Sequence, residues 1–104
     1  IGLFVHLQFY LLLSAKGTIT SILEIQGFPF TVENVTNAYA AGAIGYWSAF
    51  ATNFDWLGCY ASVNTTTATM TMTTAAAGSV SNPTTADVND TAALIGSFMY
   101  RASA

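Results

Sequence analysis

The sequence predicts an all-β sandwich, and three observations carry the prediction. The opening stretch IGLFVHLQFYLLL sorts its side chains with a period of two. The run Thr67 to Thr73 alternates threonine with Ala68, Met70 and Met72. Between such runs lie clusters of Gly, Pro, Asn and Ser, and no segment offers a convincing amphipathic helix.

The first element is a long strand. Leu3, Val5, Leu7, Phe9, Leu11 and Leu13 fall on one wholly apolar face, and Phe4, His6, Gln8, Tyr10, Leu12 and Ser14 on the other. A membrane span needs about 20 apolar residues, and Lys16 and Gly17 end this run too early. A signal peptide would want a positively charged start, and nothing before Leu3 carries charge, although the LLLSAKG end imitates a cleavage region. The mixed second face is the pattern expected of a strand covered partly by a neighbouring subunit and partly by water.

Ile19 to Gln26 reads as the second strand, with Leu23 and Ile25 opposite Glu24 and Gln26. Gly27-Phe28-Pro29-Phe30 breaks it, because proline cannot donate to a ladder. Both Phe rings of this bend are expected to plug one end of the core. Thr31 to Ala41 reads as a connecting loop with at most one helical turn. Ala43 to Phe50 is the next strand, with Ile44, Tyr46 and Ser48 opposite Gly45, Trp47 and Ala49, and Phe54 to Val63 returns as its hairpin partner. Thr67 to Thr73 places a solvated threonine face over a buried Met stripe. Ala75 to Asp90 is the longest loop, and Ala92 to Arg101 the last strand, with Leu94, Gly96, Phe98 and Tyr100 opposite Ile95, Ser97 and Met99.

Composition bounds the function. The 104 residues make one domain, 1–104, with a single core. Charged residues are 7% against a hydrophobic share of 53%, so Thr, Ser and Asn must coat the surface in place of Lys and Glu. A net charge of -3 with Lys16 and Arg101 the only basic residues besides His6 leaves no cluster to neutralise phosphates, which argues against nucleic acid and against anionic lipid. Cys59 is alone, so no internal disulfide forms. The chain does not begin with Met, which reads as a piece of a longer product or a processed one.

The order of "IGLFVHLQFYLLLSAKGT", "LEIQGFPF", "AIGYWSAF" and "DTAALIGSFMYRA" resembles a recurrent β-sandwich module of bacteriophage tail fibres, tail spikes and related virion appendages. Gly27, Phe28, Pro29 and Phe30 match the "GLPF" bend of that group, with Phe28 in place of Leu, and Tyr100 matches its closing Tyr. Gly2-Leu3 departs from the usual Gly-Asn of that group. The resemblance implies a jelly-roll-like antiparallel sandwich assembled as a homotrimer, the C-terminal piece of a longer virion protein exposed on the phage particle. Its partners would be copies of itself, other virion proteins and a host surface glycan or protein. The alternative within the same resemblance is a capsid decoration, or cement, protein. A glycan-cleaving tail spike domain is a distant third. The near absence of charge points to assembly independently, since a monomer would expose more apolar surface than soluble monomers usually tolerate.

Chemistry is thin in this chain, and the expectation is a protein that is not an enzyme and holds no cofactor or metal. His6, Asp55 and Cys59 have the residue types of a thiol triad, but nothing in their spacing brings them together. Asp87, Asn89 and Asp90 lack the Gly and closing Glu of a calcium loop. Glu24, Glu33, Asp55, Asp87 and Asp90 are scattered, as solubilising carboxylates are. The triplets that begin at Asn34, Asn64 and Asn89 have the form of glycosylation acceptors, which a Thr-rich chain produces by chance.

The expected binding surface is the aromatic hairpin. Trp56 and Tyr60 are the stacking residues, with Asn53 and Asp55 as hydroxyl partners for a sugar ring. Trp47 is expected in the core or an oligomer seam.

Overall fold

A computed structural model describes residues 3–15, 17, 22–75 and 78–103. Among the described residues six strands form one antiparallel sheet: β1 (Leu3–Leu12), β2 (Glu24–Gln26), β3 (Ala40–Phe50), β4 (Trp56–Ala61), β5 (Thr67–Thr73) and β6 (Val88–Ala102). Their order in space is β1-β6-β3-β4-β5-β2. The sheet curls into a half-barrel. Leu11 and Leu13 from the β1 edge line the same apolar cavity, of about 150 Å³, as Leu23 and Ile25 from the β2 edge. The all-β antiparallel expectation holds, with the described strands joined in one continuous sheet.

The inner face follows the two-residue period. Val5 pairs with Tyr100, Leu7 with Phe98, and Leu11 with Leu94. Leu57 pairs with Met72 and Cys59 with Met70 across β4 and β5. Phe98 sits at the centre, 1% exposed. Gly42 has no side chain because Phe98 occupies its place: a Cβ there would lie 2.3 Å from the Phe98 ring and 2.6 Å from the Cys59 sulfur.

One end of the half-barrel is closed by the segment after β2. Phe28 packs against Phe98 and Tyr100 at ring-centroid distances of 5.1 and 5.3 Å. Its amide donates to Thr66, and the chain then crosses to pair Val32 with Ala102. The Tyr100 hydroxyl donates to the Phe30 carbonyl at 2.7 Å. Burial pushes the Tyr100 phenol above its ordinary value. Only one of the two expected plugs is inside. Phe28 is buried, whereas Phe30 is 48% exposed and contributes its carbonyl rather than its ring to the closure. The other end is closed by Phe54, whose ring meets Trp47 and Phe50 edge-on at 6.4 and 5.3 Å.

Three strand expectations need correction. Regular pairing of the second strand covers only Glu24–Gln26, with residues 18–21 of its expected span outside the described residues. The third strand begins at Ala40 and carries a bulge: Ile44 pairs with Gly96 and Tyr46 with Ile95, which leaves Gly45 without an opposite number. The bulge reverses the faces beyond it, so Trp47 shares the inner face with Ile44 and Tyr46 points out. β6 begins at Val88, earlier than expected, because a single 3-10 turn (Thr85–Asp87) replaces the end of the long loop.

Candidate functional site

The outer face of β4, β5 and β2 gathers aromatic rings beside hydroxyl and carboxylate groups. Trp56, Gly58 and Tyr60 project outward because Leu57, Cys59 and Ala61 take the inner positions. Gly58 makes room for the indole. A Cβ at that position would fall 2.4 and 2.5 Å from the Trp56 Cζ2 and Cη2 atoms. The Trp56 side chain therefore lies back along its own strand, with the edge of its benzo ring over Gly58 and 47% of the residue exposed. A glycine inside a strand commonly marks such a close approach.

Tyr60 lies at the other end of this short row. Its ring meets Tyr39 edge-on at a centroid distance of 6.4 Å, and both are exposed. Tyr60 pairs with Thr69, and Thr69 pairs in turn with Glu24. Ring, hydroxyl and carboxylate thus stand in one line across three strands, at a spacing of about 4.8 Å per strand. Thr73 stands opposite Trp56, and Thr71 opposite Gly58. The threonine row is less open than a solvated face would be: Thr71 is buried and its neighbours Thr69 and Thr73 are half-buried.

The structure divides the four residues expected to bind a ligand. Trp56 and Tyr60 share the outer face. Asn53 lies at the end of the half-barrel, where it lines a shallow hollow with Trp47 and Phe54. Asp55 sits at the corner between the two, its amide donating to Thr73 at 2.8 Å. Sequence reasoning placed Glu24 correctly on an outer face, but the rings it joins become visible only through the β5–β2 register. Tyr39 was missed altogether, and the signal for Gly58 was its place midway between two outward aromatics.

The triad types are held apart. His6 projects outward from β1, while Cys59 projects inward from β4 and is 4% exposed. Burial pushes the Cys59 thiol up to about 11, which keeps it protonated and unreactive at neutral pH. Asp87 caps the turn that precedes β6: its carboxylate accepts the Thr84 amide at 2.8 Å and the Thr52 hydroxyl. Among the described residues no three His, Cys, Asp or Glu side chains cluster as metal ligands do. No family model, curated protein or solved structure matches the chain.

Proposed function

We propose that this chain is a non-enzymatic attachment module, the receptor-binding tip of a bacteriophage tail fibre or spike, that binds a host surface glycan through the outer face of β4, β5 and β2. The observation that carries the reading is the line Tyr60, Thr69 and Glu24 beside the half-exposed Trp56 ring. Sugar rings are recognised by an aromatic side chain against their apolar C–H face and by hydroxyl and carboxylate groups at their rim, since aromatics combine a flat apolar body with a polar tip. The sequence resemblance supplies the setting: a homotrimer of jelly-roll likeness on the virion surface.

The test is binding of the whole chain to a panel of bacterial surface polysaccharides. Trp56→Ala is expected to weaken capture at least tenfold with the melting temperature nearly unchanged, because an exposed anchor supports binding more than folding. A capsid decoration role shares the assembly requirement and is favoured instead if wild type binds no glycan and the variant matches it in every respect.

A further inference from the structure

The half of the sheet opposite the aromatic row has an outer face of another kind. Phe4, Tyr10 and Leu12 on β1, Ile95 and Met99 on β6 and Tyr46 on β3 are each between 46% and 68% exposed. The register makes them one patch. Phe4 stands opposite Arg101, His6 opposite Met99, Gln8 opposite Ser97 and Tyr10 opposite Ile95, which in turn faces Tyr46. Ala43, Gly45 and Ser97 floor a shallow hollow in its middle. Between Phe4 and Leu12 on β1 and between Ile95 and Arg101 on β6, His6 and Arg101 are the only acidic or basic side chains. Asp90 lies further along β6, Glu33 borders the patch beside Phe4 and Met99, and the Arg101 guanidinium lies 5.5 Å from the Phe4 ring centroid. Rings and Met at the centre, with Arg101 and Glu33 at the border, match the apolar core and polar rim of a protein interface.

The area says what covers it. Taking about 200 Å² for a large aromatic side chain and somewhat less for an aliphatic one, these six residues present roughly 650 Å² of accessible surface. That exceeds the roughly 300–600 Å² of the largest patch on a typical monomer. It approaches the about 800 Å² per partner of a standard stable interface. Beside the patch, β1 pairs only with β6 among the described strands, so its other edge leaves backbone groups open along ten residues that include no Pro or Lys. An occupant present from the moment the chain folds covers both, and a second copy of the chain meets that condition.

We infer that the outer face of β1, β6 and β3 is the homotypic interface, which copies of this chain turn toward a common symmetry axis, with Tyr10 and Ile95 of one copy packing over Ala43 and Ser97 of the next. The inference rests on the oligomer in the proposed function but not on glycan binding. Sedimentation equilibrium of the whole chain at micromolar concentration is expected to give a multiple of 11.0 kDa. Tyr10→Glu with Met99→Glu is expected to raise the dissociation constant at least tenfold while circular dichroism stays native. Gln8→Cys, at the middle of the face, is expected to cross-link chains under mild oxidation, whereas Thr73→Cys on the other half does not; this pair decides the matter if the double variant unfolds. A monomeric wild type, or an oligomer that survives the double variant without a Gln8→Cys cross-link, overturns the interface. Glycan capture by Trp56→Ala reports separately on the attachment reading.

Discussion

The two halves of the sheet are alike inside and unlike outside. Inside, β1 and β6 contribute Val5, Leu94, Phe98 and Tyr100, and β4 and β5 contribute Leu57, Cys59, Ala68 and Met70, all buried in one cluster. Outside, the first half carries Phe4, Tyr10, Met99 and Ile95, and the second carries Thr69, Thr73, Glu24 and two aromatic residues at the ends of a short row. A two-residue period therefore decides where a strand's core lies, and the residues between decide what its back is for. In this chain the backs separate into an apolar surface on one half and a mixed surface of rings, hydroxyls and a carboxylate on the other.

The largest expected effects test the likeness of the insides. Phe98→Ala is expected to cost about 3–5 kcal/mol and Met70→Ala about 2–5 kcal/mol, since each deletes a side chain from a site with almost no exposure. Met99→Ala, next to Phe98 in sequence but on the outer face, should stay within about 0.5 kcal/mol when measured at dilutions where the chain is monomeric. Urea denaturation of the three variants checks this. A Met99→Ala loss as large as that of Phe98→Ala would mean that the outer face also packs within one chain, and the division into core and back would fall.

A smaller effect comes from the buried thiol. Cys59 has its folded value raised from 9.0 to about 11, so the native state resists ionisation that the unfolded state permits. The stability this represents is fully present below pH 9 and is lost as the pH rises toward 11. Stability of wild type is expected to fall more steeply across that window than that of Cys59→Ala, with the curves parallel below it. Tyr100 also titrates upward of its ordinary value and contributes to both curves alike, so the difference between them isolates the thiol.

How much was legible follows from how local each signal is. β1, β5 and β6 could be read face by face because their alternation runs unbroken through residues such as Val5, Leu7 and Phe9, or Met70 and Met72. β3 could not, because the bulge at Gly45 turns the chain over midway, while AIGYWSAF was read as one uninterrupted alternation. The isolated glycine was the available clue. Phe28 and Phe30 look equivalent in GFPF, yet Gly27, with φ of 90°, aims the bend so that only Phe28 meets Phe98. The candidate site was half legible for the same reason. Trp56 and Tyr60 share a strand, whereas Glu24 joins them through two registers set by the fold.

The smallest expected effect concerns the point where β3 leaves regular geometry. Ala49 adopts φ of 58°, in the left-handed region, beside the second register shift of β3 between Ser48 and Phe50. For an L-residue with a Cβ this conformation costs roughly 1–2 kcal/mol, and glycine escapes it. The strain is maintained because Trp47 and Phe50 must both reach the inner face, where they meet Phe54 and close that end of the half-barrel. Two residues that flank a position by unequal spacing can share a face only if the backbone between them turns over. Ala49→Gly relieves the steric cost but gives the unfolded chain more freedom, which offsets part of the gain. The net expectation is a stabilisation of about 0.5 kcal/mol, read as a rise of a few degrees in melting temperature. At an ordinary strand position the same exchange would destabilise by a similar amount. A loss of stability in Ala49→Gly would therefore place residue 49 in extended backbone, and the closure of that end would need a cause other than a turned-over strand.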